Sequence, residues 1–508
     1  MAKRQLRSGV YLSYVNLAIS CLIPFLYTPV MLEILGQEEY GLYSLAHSVV
    51  GYLSLLSFGF GSTIVRYLSK YRAENNKTEL EKTYGFFLLL YGGLSIAVFI
   101  GGIIICNDVD SIFDQGLLPE EVSKMRTLVL IMAFNTALSF PLSVFSSVAV
   151  AHERYFFRKV MDIVGTVVAP AANLIALYLG YSSVGMALAG TIIQFFLAPI
   201  SILYCFRSIK VRPRFVRMPK GLVREMIGFS AFVFIGSIVD MLFWATDKVI
   251  LGMLVSSAAV AVYNVGGTFN SMVMNLSTSI SGVLIPQITG MVVTNTNKSE
   301  WTNLFIKAGR IQFLIIALII SGFSVFGQSF IKLWAGPEYK DAFWVAIVTM
   351  FPLCIPLIQN TGLSFVIAQN KHQFRSIVYL IIAILNVIST YLIVPYMGVI
   401  GAALCSCVSY LLGQGLIMNI YYYKVTGLDI PLFWKNILKM AIIPVLMLMT
   451  GLLLNRVVAI DNWLTFLMGV ILFTALYALL MYRFAMNDYE KDIIRKPLQK
   501  ILRAMYRG

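Results

Sequence analysis

Fourteen stretches of the chain are long, apolar and almost free of charge. A bilayer crossing needs about 20 such residues. They fall at about 11–32, 42–65, 83–106, 127–150, 160–180, 185–206, 226–252, 258–287, 310–334, 342–367, 376–396, 399–421, 437–457 and 462–482. Inside hydrocarbon a backbone amide finds no water, so a spanning segment must satisfy its own hydrogen bonds as a helix. Charged residues make up 12% of the chain against about 25% in soluble domains, and hydrophobic residues make up 59%. The predicted fold class is an all-α polytopic membrane protein of about fourteen transmembrane helices. The first stretch follows the basic segment Met1–Arg7, is too long for a signal-peptide core and has no small-residue cleavage site after it, so it reads as span 1.

Alternation over fourteen spans, started from an inside amino terminus, places 33 of the 39 Lys and Arg residues on one side. The positive-inside rule then predicts a multi-pass protein with both termini cytoplasmic. Only Lys124, Arg126, Lys248, Lys332, Lys340 and Arg456 fall outside. The net charge of +15 therefore reflects topology and lipid contact and argues little for nucleic acid. The six cysteines, at 21, 106, 205, 354, 405 and 407, lie in or beside apolar segments with no C-x-x-C and no Cys/His cluster. Neither a disulfide framework nor a metal site is indicated.

The longest basic linker, from Arg207 to Arg224, follows six spans and separates two six-helix lobes. The expected divisions are 1–208, the linker 209–225, 226–424, and 425–508 with spans 13 and 14 and a basic tail. Such a linker also attracts anionic head groups, at about 1 kcal/mol per basic side chain near the surface. The lobes repeat one another in sequence: Asn173-Leu-Ile-Ala-Leu-Tyr178-Leu, then Val184-Gly185-Met-Ala187-Leu188, recurs as Asn386-Val-Ile-Ser-Thr-Tyr391-Leu, then Ile400-Gly401-Ala-Ala403-Leu404. A weaker likeness relates Leu32–Ala46 to Gly252–Gly266. Six spans per repeat is even, so the lobes insert in the same sense, the parallel-repeat plan of some transporters with substrate held between lobes.

The spans around 226–287 carry the polar groups that lipid tolerates least. Asp240 lies about 18 Å along its helix from Gly228, within a hydrocarbon layer about 30 Å thick. A charge at such depth costs about 2.5–3.5 kcal/mol on insertion scales, so it should meet water or a partner. Counting 100° per residue sets Asp240, Trp244 and Asp247 on one face, with Lys248 about 80° round from Asp240. Span 8 adds Asn264, Asn270 and Asn275; span 1 adds Asn16; span 2 adds His47 and, near its end, Arg66. Packing explains part of this, because intramembrane Ser and Asn often bond neighbouring helices, at about 0.6 kcal/mol each. Asp247 and Lys248 also suit an outer interface, and His47 alone suits a hydrogen-bonded packing group. Taken together, the seam on spans 1, 2, 7 and 8 predicts a polar cavity.

Several motifs resemble those of one family. Leu35-Gly36-Gln-Glu-Glu-Tyr40-Gly41-Leu42-Tyr43-Ser44-Leu45, Phe58-Gly59-Phe60-Gly61 and Val65-Arg66-Tyr67 are similar to the first hairpin of Wzx-type polysaccharide-transport proteins, lipid-linked oligosaccharide flippases of the superfamily that holds MATE exporters and MurJ. Thr246-Asp247-Lys248, Ala261-Val262-Tyr263-Asn264 and Leu333-Trp334-Ala-Gly336-Pro-Glu-Tyr339 resemble later parts of the same family. The resemblance implies a substrate with an undecaprenyl tail, a pyrophosphate and a sugar head, moved to the outer leaflet by alternating access. It also implies membrane lipids as partners, with a polysaccharide polymerase and chain-length machinery. No cofactor is expected; H+, Na+ or the membrane potential would supply the energy. MurJ-like relatives meet the pyrophosphate with cavity arginines. Here Arg66, Arg154, Arg310 and Lys248 are the basic groups that could do so.

Two other classes fit less well. A membrane glycosyltransferase or polymerase calls for a large external loop, and the longest, Asn107–Lys124, is too short for a folded domain. The chain therefore reads as a transporter and not an enzyme. A MATE-type cation-coupled drug exporter would use Asp240 as a cation or proton site, but MATE proteins usually have twelve spans.

Overall fold

The computed structural model describes residues 2–216, 218–455, 460 and 462–505. Met1, Arg217, Arg456 and Arg507, which enter the charge reading above, lie outside them. Among the described residues every regular element is a helix. The protein is an all-α polytopic membrane protein.

Eleven described helices are long and apolar enough to cross a bilayer, or up to 13 if each of two bent pairs forms one span. Length and composition therefore stop short of the fourteen spans read from the sequence. Where two spans are expected, at 376–396 and 399–421, the chain forms one helical run, Gln373–Thr426, of 54 residues. At about 1.5 Å per residue that is about 81 Å, more than twice the thickness of the hydrocarbon. Gly398 interrupts the run with φ 53 and ψ −134, a conformation that a side chain would resist. The kink falls between the two expected spans.

The chain divides into two compact units, residues 1–264 with 387–402, and residues 265–386 with 403–508. In the first, Lys77–Ile112 lies along Pro119–Ala151, and Gln37–Gly51, Phe60–Ala73 and Ser182–Tyr204 pack on the latter. Ala2–Leu35 packs on Tyr155–Tyr178. Leu45, Ile64, Leu68, Tyr84, Phe87 and Met125 fill the interior. Gly41 lets two backbones meet: a Cβ there would run into the Ser257 carbonyl. In the second unit Lys298–Trp334 is the central helix, packed by Ala342–Ile358, Ile430–Asn455 and Trp463–Leu480. Phe305 stacks on Phe433 with ring centroids 4.4 Å apart.

The outward faces are as apolar as the interiors. Leu89, Ile96, Ile100 and Ile104 are exposed along Lys77–Ile112, and Leu464, Leu467, Met468, Ile471 and Leu472 along Trp463–Leu480. Stripes of this size on a water-soluble surface would aggregate, whereas lipid solvates them. Helix ends follow local chemistry: Asn76, Asn297 and Asn462 each accept a backbone N–H in the first turn of the helix they precede.

Four breaks fall inside spans expected from the sequence. Span 2 is Gln37–Gly51, a tighter turn over Tyr52–Ser57, and then Phe60–Ala73, because Phe58 (φ 47) and Gly59 (φ 69) take left-handed backbone. Span 7 is Lys220–Trp244 followed by Thr246–Leu254, parted at Ala245. Span 8 is Ser257–Gly282 and then Ile285–Val293, bent by 45°. Span 10 is Ala342–Ile358 and then Asn360–Ala368, also bent by 45°.

Candidate functional site

The break at Ala245 falls between the two carboxylates of span 7. An unbroken helix would put Asp240 and Asp247 on one face; here Asp240 is exposed and Asp247 is fully buried. The helix is interrupted at Ala245, although i to i−4 bonds run on both sides of it, from the Ala245 N–H to the Met241 carbonyl at 2.9 Å and from the Val249 N–H to the Ala245 carbonyl at 3.2 Å.

Asp247 sits in the first unit within a set of side chains drawn from four helices. One carboxylate oxygen accepts the hydroxyl of Tyr263 and the other accepts that of Thr390, at 3.3 Å. Lys248 donates from Nζ to Oδ1 of Asn264 at 3.0 Å. The Asn264 amide in turn donates to the hydroxyl of Tyr40 at 2.6 Å and to Ser44 Oγ at 3.2 Å. Tyr52 and Thr246 share a hydrogen bond beside them. Each charge therefore has its own neutral partners, and the two opposite charges are adjacent in the chain. An unpaired buried ion would cost several kcal/mol. Hydrogen bonds to ionised groups are the stronger class, which makes such a cluster rigid as well as tolerable in apolar surroundings.

The arrangement has a local sequence basis. Asp247 with Tyr263 and Lys248 with Asn264 are both pairs sixteen residues apart. A short helix, a tight connection and the start of the next helix bring two consecutive residues against two consecutive residues. Tyr40 and Ser44 are one turn apart on Gln37–Gly51, so both reach the same amide.

The other candidate residues make none of these hydrogen bonds, though His47 lies near enough to Lys248 to feel its charge. Arg66 is exposed, its guanidinium 4.3 Å from the centroid of the Phe229 ring, a cation–π contact. His47 is exposed on Gln37–Gly51, while Ser44 and Ser48 of that helix are buried. Asn16 is half-buried, and its Oδ1 meets no hydrogen-bond partner among the described residues. In the second unit Asn270 is buried and donates to Thr349 Oγ1 at 2.5 Å. Further along the same helix Ser277 bonds the Leu357 carbonyl at 2.9 Å and receives Gln312 at 3.3 Å. Those groups fasten helices to one another. Asn275 is exposed. Arg310, one of the basic groups considered for a pyrophosphate, is buried in a two-pronged ion pair with Glu490, at 2.5 and 2.9 Å.

The polarity of the spans thus picks out Asp247, Lys248 and Asn264, which the fold unites. It misses the hydroxyls of Tyr40, Ser44, Tyr263 and Thr390, which complete the set. The repeated sixteen-residue spacing is the available signal for Tyr263. Thr390, 143 residues beyond Asp247, has none. Among the described residues no group of three His, Cys, Asp or Glu side chains could hold a metal ion.

Residues 6–292 match the family described as polysaccharide biosynthesis protein. The chain belongs to that family. Likeness to known proteins continues beyond the matched region: membrane protein EpsK of Bacillus subtilis (strain 168) is 21% identical over 486 residues, 93% of this chain and 94% of EpsK. A Shigella flexneri protein named as a candidate O-antigen transporter is 20% identical over 402 residues, 76% of this chain and 90% of that protein. In fold the chain is similar to the lipid II flippase MurJ in an inward closed conformation, with TM-score 0.71 and 15% identity over 94% of this chain and 98% of the other. It is also similar to an inward-facing multidrug resistance MATE family transporter of the MOP superfamily, with TM-score 0.63 and 13% identity over 83% and 99%. This family member is thus a polytopic membrane protein with a MurJ- and MATE-like fold.

Proposed function

We propose that the protein translocates undecaprenyl-pyrophosphate-linked oligosaccharide units from the inner to the outer leaflet by alternating access, for surface polysaccharide such as O-antigen, capsule or exopolysaccharide. The observation that carries this reading is the family match over residues 6–292 on a chain whose MurJ-like fold extends over 94% of its length. The buried Asp247–Lys248 network fits a transporter, whose moving units must each stay rigid. Exposed Asp240 and Arg66 offer charged groups at the surface of the first unit, where a pyrophosphate or a coupling cation can reach them. We place the protein in a bacterial cytoplasmic membrane with both termini in the cytoplasm, driven by H+, Na+ or the membrane potential. Polymerase and chain-length proteins would receive the product.

The test is a depletion strain complemented with Asp240→Leu or Arg66→Ala. Both variants should insert at normal levels while surface polymer falls and lipid-linked units accumulate. Normal polymer with both changes would remove these residues from the mechanism. The MATE-like fold also supports a second reading, a cation-coupled drug exporter. Loss of drug resistance in Asp240→Asn with polymer intact would favour that reading over the first.

A further inference from the structure

The first unit contains a cavity of about 350 Å³ that the network around Asp247 does not touch. It lies among the helices Pro119–Ala151, Tyr155–Tyr178 and Ser182–Tyr204. Its lining runs from residue 139 to 149 on the first, 157 to 169 on the second and 190 to 201 on the third. Each interval is ten to twelve residues, so the cavity is a slot about 15–18 Å tall, parallel to the helices. Its walls are mostly apolar (Leu142, Met161, Ile193 and Leu197), with Ser143, Ser146 and Gln194 among them, and room is left by Gly165 and Ala169.

The mouth is charged. Arg158 lines it one turn inside its helix, about 5 Å from the helix start. Asp162 holds Arg158 through Nε at 3.0 Å, which fixes the guanidinium and leaves its two Nη groups to meet a ligand. Lys159 approaches the same carboxylate at 3.7 Å. Arg72 reaches the adjoining turn, donating to the Ala151 carbonyl at 2.8 Å and pairing with Glu153 at 3.4 Å. Arg158 and Asp162 line the cavity itself, and the chain segment around Arg158 carries Arg154 and Lys159 as further cations.

We propose that this slot binds one anionic phospholipid, its phosphate on the Arg158 guanidinium and one acyl chain between Leu142, Met161 and Leu197. A guanidinium fork matches a phosphate, and an excess of positive charge selects an anionic head group over a zwitterionic one. A mostly apolar slot of this volume is at the lower end of small-molecule sites, suited to a single chain. The slot lies within one compact unit, so its occupant is a resident lipid rather than cargo. The assignment holds whichever cargo the protein moves.

Native mass spectrometry of the full chain in maltoside micelles, with dioleoylphosphatidylglycerol or dioleoylphosphatidylcholine added, tests it. The wild type should retain one phosphatidylglycerol in about tenfold excess over phosphatidylcholine. Gly165→Leu should abolish that preference by filling the slot; a Cβ at Gly165 meets no atom within 4 Å, so the variant should melt at the wild-type temperature. Arg158→Gln should abolish it by removing the phosphate partner. Retention of the preference by either variant, or equal retention of the two lipids by the wild type, overturns the site. A second measurement stands on the wild type alone: dihexanoylphosphatidylglycerol and inorganic phosphate should compete poorly, and competition equal to that of the long-chain lipid overturns the acyl slot.

Discussion

Glu490→Ala should loosen the C-terminal helix Asp488–Met505 by taking the carboxylate away from a buried arginine. The side chains of Arg310 and Glu490 are 9% and 2% exposed. Arg310 donates through Nε and Nη2 to both carboxylate oxygens, with Nη2 also bonding the Ala485 carbonyl at 2.9 Å. Glu490 also closes a reciprocal cap with Asn487: the Asn487 N–H reaches its carboxylate at 2.9 Å, and its own N–H reaches Asn487 Oδ1 at 3.0 Å. The pair thus fastens the start of the C-terminal helix to Lys298–Trp334. Glu490→Ala would strand a buried guanidinium, which costs about 3–5 kcal/mol. At about 1.36 kcal/mol per factor of ten, even the lower figure raises the undocked fraction of that helix by more than roughly 100-fold. Trypsin reads this directly, because Arg495 is exposed on the helix and cleavage follows the opened population when reclosing is fast. Initial cleavage after Arg495 should rise by about two orders of magnitude in Glu490→Ala. Arg310→Met with Glu490→Leu should return near the wild-type rate, since replacing a whole buried pair by apolar groups is often neutral. Cleavage of Glu490→Ala at the wild-type rate would refute the reasoning, as would a double variant as labile as the single one.

Three further outcomes follow from the same geometry. Tyr263→Phe removes one hydrogen bond from the buried Asp247 carboxylate and should destabilise the protein by about 1.5–3 kcal/mol, read as a lower melting temperature in detergent. Gly41→Ala drives a methyl group into the Ser257 backbone and should cost about 1–3 kcal/mol, read in the same assay, whereas Gly61→Ala, with no atom near its Cβ, should be silent. Burial, with Arg72 and Arg154 nearby, holds His152 below the ordinary histidine value despite its contact with the Val148 carbonyl. The unfolded chain therefore binds the proton more readily, so this contribution to stability is full above the ordinary value of 6.5 and is lost as pH falls below it. His152→Gln should flatten that part of the melting-temperature profile.

Much of the architecture is legible in the sequence because lipid imposes a simple rule: length and apolarity alone identify a spanning helix. The rule is silent on breaks. Nothing in the apolar run across Ala245 announces the interruption there, nor that Asp240 is exposed while Asp247 is buried. Asn270 illustrates another limit. A polar residue at depth reads as a cavity group, yet here it bonds Thr349, seventy-nine residues away, and fastens two helices. Long-range partners such as Glu490 for Arg310 leave no trace in spacing, because the chain between them is free to take any course. Asp247, Lys248, Tyr263 and Asn264, joined across one short turn, carry their pairing in local order.

The bond between Thr390 and Asp247 sets a timetable for biogenesis. A ribosome adds about 5–20 residues per second, so Thr390 emerges roughly 7–29 s after the aspartate it will bond. Of the Tyr263 and Thr390 hydroxyls, the first is made early in that interval and the second only at its end. The first unit is therefore unfinished when its leading 264 residues have been inserted, and waits for residues 387–402 to be delivered from far downstream. A nascent chain stalled before that point would hold the Asp247 carboxylate with its Tyr263 bond made and its Thr390 bond missing.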